Sequence, residues 1–182
     1  MLTSRRIQLR PFRPEERELY VSWFTDRDTM LGAFQPYRLG LAEEIRQRFG
    51  EKLTPDDTSG RLAIGRLEDD RVIGLVRYGR HIIIPTVAEF YEIGYAITDP
   101  ALRRQGYATE ACALLIDYLF GLYPVERIGA FTTAGNLPSI GLLQKFGFQL
   151  EGTIRHGMFL DGAWTDVVMY GLLRSEWATS HP

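Results

Sequence analysis

The chain reads as an α+β protein built on a mixed, mostly antiparallel sheet of about seven strands with helices on both faces. Three observations carry this expectation. Short runs that alternate apolar with polar residues recur along the whole chain, two pairs of them are joined by tight polar loops, and helical patterns lie dispersed among the strands.

Taken in order, Arg6 to Phe12 alternates Ile7 and Leu9 with Gln8 and Arg10, the period of a half-buried strand, until Pro11 and Pro14 break it. Leu19, Tyr20, Trp23 and Phe24 recur at helical spacing within Glu15 to Phe24, and Leu41, Ile45, Phe49 and Leu53 do so within Leu41 to Leu53. Between them Met30 to Tyr37, with Gly32 and Pro36, is aromatic without a period and reads as a loop. Arg61 to Leu67 and Val72 to Tyr78 flank Glu68, Asp69, Asp70 and Arg71, which predicts a hairpin. His81 to Val87 contains Pro85, which argues against a central strand and leaves a blunted edge strand or a loop over a pocket. Phe90 to Thr98 is the next strand. Gly106 to Leu122 has the strongest helical pattern, bounded by Gly106 before it and by Gly121 and Pro124 at its end. Arg127 to Thr133 is a strand and Pro138 to Phe146 a helix stopped by Gly147. Phe148 to Phe159 and Thr165 to Leu173 form a closing hairpin around Asp161 and Gly162. There are no repeats or low-complexity stretches, so residues 1–182 read as a single domain.

Composition narrows the function. Hydrophobic residues make up 45% of the 182 and charged residues 24%, ordinary values for a folded globular chain. The net charge of -2, with 21 basic and 23 acidic residues well mixed, offers no field for a nucleic-acid backbone. No apolar run approaches the roughly 18 residues of a membrane span, and MLTSRRIQLR lacks the apolar core of a signal peptide, so the expectation is a cytoplasmic protein with no membrane partner. Cys112, the single cysteine, reads as a small core residue of its helix. His81, His156 and His181 have no metal-ligand spacing, and no metal is expected.

The segment from Ile97 to Glu110 is the most informative, because it runs from a strand directly into the longest helix. The first amides of a helix lack intrahelical acceptors and lie at the positive end of its dipole, so a phosphate can satisfy several at once. Gly106 permits close backbone approach and Ala108 is small. Arg103 and Arg104 carry charge beside the turn, Gln105 and Tyr107 complete it, and Thr109 has a hydroxyl to offer. By itself this segment is equally a helix start with solvated arginines. Neither the Gly-x-Gly-x-x-Gly spacing nor the Walker lysine pattern of nucleotide enzymes is present.

The pattern Arg103-x-x-Gly106-x-Ala108 after a strand ending at Ile97 resembles the acetyl-CoA signature of the GNAT (GCN5-related N-acetyltransferase) family. Asn136-Leu137-Pro138-Ser139-Ile140, Leu142 to Phe148, Glu151-Gly152-Thr153 and Arg155 look like the RimJ/RimL-like branch typified by ribosomal-protein alanine acetyltransferases. Arg6 to Pro11 and the stretch from Asp161-Gly162 to Asp166 extend the likeness over nearly the whole length. The resemblance implies the GNAT fold and acetyl-CoA as cosubstrate, with loop amides on the pyrophosphate and a splayed strand at Ile97 on the pantetheine arm. It implies a contact from Asn136 to that arm with Ser139 beside it, although Ser139 reads equally as an ordinary first-turn residue. A homodimer, common in this branch, is implied as well.

Transfer to an amine needs the neutral amine, while an α-amine with a pKa near about 8 is mostly protonated at neutral pH. Period-two alternation puts Glu92 on the face of Gly94 and Ala96, which leaves room beside the pantetheine, and makes it the candidate base, acting directly or through water near Tyr91 and Tyr95. An ordinary ion-paired glutamate is the alternative. A backbone amide near Ile97 would polarise the thioester carbonyl, a contribution on the order of 3 kcal/mol. Many family members carry a tyrosine as leaving-group acid where this chain has Leu143, so that role has no candidate here. Met30 to Arg38, His81 to Val87 and Phe159 to Trp164 are candidate acceptor-lining segments. A protein or peptide N-terminal α-amine is the favoured substrate. A polyamine or aminoglycoside acceptor, and a non-catalytic CoA-binding sensor, are the other readings.

Overall fold

A computed structural model describes residues 1–32, 35, 41–49, 55–84 and 88–180. Eight strands occur among them: β1 (Leu2–Thr3), β2 (Ile7–Arg10), β3 (Ser59–Arg66), β4 (Val72–Ile84), β5 (Ala88–Ile97), β6 (Arg127–Thr133), β7 (Gln149–Leu160) and β8 (Ala163–Leu173). The helices are α1 (Arg17–Thr25), α2 (Arg27–Gly32), α3 (Leu41–Arg48), α4 (Tyr107–Leu122), α5 (Leu137–Lys145) and α6 (Arg174–Ser180). The strands are hydrogen-bonded in the order β1-β2-β3-β4-β5-β6-β8-β7, with β5 and β6 parallel. The class is the mixed, mostly antiparallel α+β sheet read from the sequence. No helix among the described residues is long and apolar enough to cross a membrane.

The chain divides into two compact units, Met1–Tyr78 with Tyr95–Leu115 and Gly79–Gly94 with Ile116–Pro182, so β4, β5 and α4 each give a segment to both. In the first unit the core gathers Phe12, Tyr20, Trp23, Ala63, Val72 and Leu75, with Phe24, Ile45 and Phe49 against it. Phe12 meets the Tyr20 ring edge-on at 5.1 Å, geometry that adds to the gain from burying aromatic area. The buried Arg10 guanidinium is paired with Glu16 at 2.7 Å, and the Glu16 carboxylate also accepts the Arg13 amide at 2.7 Å. A charge taken out of water is tolerated there because it is matched. Gly74 is needed for a different reason: a β-carbon there would overlap the Ala96 carbonyl oxygen of β5.

In the second unit Ile116, Leu119 and Phe120 continue the buried stripe of α4, joined by Ile128, Leu143 and Leu172. Helix α4 ends in carbonyls that have no intrahelical donor. Arg174 supplies a donor to one of them, Phe120 at 2.6 Å, and to the oxygens of Tyr123 at 2.6 Å and Val125 at 2.9 Å just past the helix. Trp177, one turn on, donates its indole N–H to Asp117 at 2.8 Å.

Several expectations change. Met30 to Tyr37 was read as a loop, but α2 runs through Met30 to Gly32, because Asp26 caps it by accepting the Thr29 amide at 2.7 Å. Residues 33, 34 and 36–40 lie outside the described residues, as do 50–54 at the expected end of the second helix and 85–87. His81 to Ile84 is not a loop but the last part of β4. The tight polar loop after β3 leaves β4 free to outrun its hairpin partner, and Pro85 falls beyond the strand's end. Leu19, one of the apolar positions at helical spacing, is 40% exposed. Strand β1 and helix α6 had no expectation; the first is too short to show a period, and the second is organised by the long-range bonds of Arg174 and Trp177.

Gly74→Ala should lower unfolding stability by about 1–3 kcal/mol, because the obstacle is backbone and cannot rotate away. Arg174→Met, which strands helix-end carbonyls, should cost about 2–3 kcal/mol. Urea unfolding followed by circular dichroism measures both.

Candidate functional site

The residues singled out in the sequence fall into two groups, each inside one unit. In the first unit, β5 ends at Ile97 and the chain turns at once: Thr98 returns to the Ile73 carbonyl through its amide at 3.1 Å and its hydroxyl at 3.2 Å. Asp99 caps a single turn of 3-10 helix by accepting the Ala101 amide at 2.9 Å, and is itself held by Arg71 at 2.8 Å. Arg103 folds back along the turn, its Nε donating to the Ile97 carbonyl at 3.0 Å and its Nη2 to that of Thr98 at 3.4 Å. Its guanidinium braces the strand end, whereas Arg104 is exposed. Gln105 donates to the Ala101 carbonyl at 2.7 Å.

Two residues of this turn have positive φ, Arg104 at 60° and Gly106 at 86°. Glycine takes that conformation without strain, and at Gly106 a β-carbon would also come to 3.0 Å from Arg6 Nη2. Helix α4 begins at the next residue, and the Glu110 amide is the first to find a helical acceptor, the Gly106 carbonyl at 3.1 Å. The amides of Tyr107, Ala108 and Thr109 therefore have no acceptor within the helix. Arg6, read in the sequence as the start of a strand and part of the resemblance, organises the turn. It pairs with Glu110 at 2.5 Å, donates to the Gln105 carbonyl at 3.0 Å and lies 4.6 Å over the Tyr107 ring. Burial pushes the Glu110 carboxyl up, but hydrogen bonds from Ser4 and Arg6 and the Arg6 charge outweigh it and hold the group below the ordinary glutamate value. A separation of about a hundred positions hides this pair from any local pattern.

In the second unit Glu92 is buried at 8% exposure on β5, in register with Gly129 of β6. Its Oε2 lies 2.7 Å from His81 Nε2. His81 stacks on Phe90 with centroids 5.3 Å apart and planes at 18°, and lies 6.5 Å from the Phe131 ring. Gly129 matters because a β-carbon there would come to 2.7 Å from the Phe90 ring. Tyr91, expected near the carboxylate, packs instead at 4.9 Å on Tyr123, since adjacent residues of a strand face opposite ways. The β5–β6 ladder pairs Tyr91–Ile93 with Ile128–Ala130 and ends there, while the strands run on to Ile97 and Thr133.

At the end of β6 the Asn136 side chain caps α5, its Oδ1 accepting the Ser139 amide at 3.3 Å and its Nδ2 donating to Thr132 Oγ1 at 2.9 Å. One amide hydrogen of Asn136 is left beyond these two bonds. Thr133, which sequence reasoning missed, buries a hydroxyl that has no hydrogen-bond partner among the described residues. Leu143, at the position of the absent tyrosine, is 1% exposed and packs in the core. Cys112 is fully buried, and burial pushes its thiol up. No group of three or more His, Cys, Asp or Glu is disposed to hold a metal ion among the described residues.

Residues 6–149 match the model of the acetyltransferase (GNAT) domain. An uncharacterized N-acetyltransferase p20 of Bacillus licheniformis is 30% identical over 179 residues, covering 97% of this chain and 98% of its own. Among solved structures, the ribosomal-protein-S5-alanine acetyltransferase of Vibrio fischeri superposes with a TM-score of 0.80 at 21% identity, over 96% of this chain and 97% of that one. The spermidine N-acetyltransferase of Vibrio cholerae in complex with CoA and spermine superposes with a TM-score of 0.78 at 20% identity, over 94% and 98%. At such identities the two structures speak for the fold, and the domain match speaks for the family. A strand that hands its chain through a glycine turn into a helix with free first amides is thus found in a chain that belongs to the GNAT family and is an N-acetyltransferase.

Proposed function

We propose that this enzyme, working as one catalytic domain over residues 1–182, transfers acetyl from acetyl-CoA to the α-amine at the N-terminus of a protein or peptide. The observation that carries the donor half is the turn between β5 and α4. The residues there fit the pyrophosphate of coenzyme A: unaccepted amides at Tyr107, Ala108 and Thr109, a left-handed Gly106, and the exposed Arg104 beside them. Arg103 serves by keeping Ile97 in place, and Gln105 and Arg6 keep the turn in shape. The end of the β5–β6 ladder at Ile93 leaves backbone of β5 for the pantetheine arm, and Asn136, Ser139 and the unpartnered Thr133 hydroxyl supply polar groups at the end of β6.

Acetyl-CoA supplies the acetyl group as a thioester. An amide of β5 near Ile97 orients and polarises its carbonyl, and Glu92 is the basic centre that relieves the acceptor ammonium of its proton. Burial beside Phe90 and His81 keeps bulk water from this carboxylate, so a fixed partner replaces a fluctuating solvent shell. Support for the α-amine comes from the run Asn136 to Phe148 with Glu151-Gly152-Thr153 and Arg155, which resembles the ribosomal-protein branch. A polyamine acceptor is the second reading, favoured by the likeness to the spermidine enzyme over 94% of the chain.

A thermal melt with and without acetyl-CoA, followed by thiol release on an alanine-initiated peptide, spermidine and an aminoglycoside, tests this directly. A saturable shift with release on the peptide supports the α-amine, release on spermidine replaces it with a polyamine, and a shift with no release favours a CoA-binding sensor. Gly106→Val should weaken acetyl-CoA binding at least about tenfold by calorimetry, since its side chain enters the pyrophosphate side of the turn, and should also lower the apo melting temperature, since a β-branched residue is strained at this positive φ. Glu92→Gln should reduce kcat by about 10²-fold or more and leave the acetyl-CoA Kd within about twofold.

A further inference from the structure

The carboxylate on which transfer is proposed to depend does not stand alone. His81 Nε2 meets Glu92 Oε2 at 2.7 Å, yet the two side chains differ sharply in exposure, 49% for His81 and 10% for Glu92. The imidazole lies flat on Phe90, with Phe131 as a second aromatic neighbour, so its plane is fixed. A carboxylate only accepts hydrogen bonds when ionised, so the hydrogen between the two belongs to Nε2. One edge of the ring is thus committed to a buried carboxylate while the ring retains a wet edge, and its second nitrogen is left as an acceptor. That is the division of labour by which a buried carboxylate orients an imidazole and stabilises its protonated form.

The other charged groups on the packed strands are engaged elsewhere. Arg127 of β6 lies 5.1 Å over the Phe90 ring and is ion-paired with Glu151 of β7. Arg80 of β4 faces Glu89 of β5 at 3.8 Å, each one position from His81 and Phe90 and so on the opposite face. Among the described residues the charge in contact with His81 is Glu92. Proton affinity argues the same way. As free groups, an imidazole at about 6.5 lies far nearer an α-amine at about 8 than a carboxylate at about 4.3, and transfer between matched groups is the efficient kind.

We propose that His81 and Glu92 form one catalytic base, in which Glu92 orients His81 through Nε2–H and His81 Nδ1 takes the proton of the acceptor ammonium. This rests on the reading of the chain as a transferase with its basic centre at Glu92. The substrate N–H bond breaks with its electron pair staying on nitrogen and an Nδ1–H bond forms; the freed pair attacks the thioester carbon, and as the C–S bond breaks the departing thiolate takes the second proton from the amine nitrogen, leaving the amide and the free thiol. The imidazolium, held by the carboxylate, then returns its proton to water at the exposed edge.

The test compares the wild-type chain with His81→Gln, His81→Ala and Glu92→Gln. Thiol release from acetyl-CoA is measured with spermidine and with an alanine-initiated peptide between about pH 5.5 and about pH 9, which brackets an imidazole's range. Both His81 variants should lose about 10²-fold or more in kcat with the acetyl-CoA KM within about twofold, and the acid limb of the wild-type profile should vanish from their residual rate. Added imidazole should restore His81→Ala but not Glu92→Gln. Side-chain nitrogen NMR, which needs no acceptor, should show His81 as the Nε2–H tautomer in the wild type and as a mixture in Glu92→Gln. His81 variants at wild-type turnover beside a slow Glu92→Gln would overturn the pair and leave Glu92 as sole base, with the proposed function intact. A loss in His81→Ala that imidazole does not restore, with the acid limb unchanged, marks a structural role and also overturns it. Should neither amine be turned over by the wild type, the broader reading fails first, and an Nδ1–H tautomer or a freely mixed one then overturns the pair independently.

Discussion

The turn in which β5 becomes α4 is the constraint on which the candidate donor site depends. A helix start is useful to an anion only if its amides are open and held still, and here the two requirements are met by different residues. Gly106 brings the chain into α4 through a left-handed turn, and the first amides of α4, as at any helix start, find no acceptor within the helix. Thr98, Asp99, Arg103, Gln105 and Arg6 tie the turn to β4, to β5 and to itself. Arg103, a natural candidate for phosphate contact, has its guanidinium aimed at two backbone carbonyls, so its charge rigidifies the turn and Arg104 remains as the exposed cation.

The same economy appears at the other end of α4. Arg174 closes the helix by donating to carbonyls that the helix cannot satisfy, and Trp177 fastens α6 to Asp117. A helix closed by distant side chains need not carry its own stop signal, which is why Gly121 and Pro124 mark the end of the pattern without accounting for its stability. Pairing also governs the second unit: β5 and β6 are laddered through Ile93 and Ala130 and then run on, so β5 has backbone to offer beyond the ladder.

Much of this was legible in the sequence because it is local. Alternation along Phe90–Ile97 put Glu92 on one face with Gly94 and Ala96, the alanine and leucine pattern located α4, and the spacing of Arg103, Gly106 and Ala108 at a strand-to-helix junction pointed to an anion. His81 was passed over because its spacing from the other histidines suggested nothing. Its partner lies eleven positions on, across a β4–β5 pairing whose register no local pattern specifies. A strand followed through Ile84 makes His81 and Phe90 cross-strand neighbours and puts Glu92 within reach.

The sequence by itself determined the fold class, the order of nearly all the elements and the family, and pointed to the stretch proposed to bind the donor, because periodicity, glycine placement and short motifs act over a few residues. Only the tertiary structure decided that Arg103 braces while Arg104 is exposed, that Arg6 organises a turn about a hundred residues away, and that Glu92 shares its hydrogen bond with His81. Those outcomes depend on which distant groups are left facing one another once apolar surfaces are buried, and a charge removed from water must find a partner wherever the packing places one.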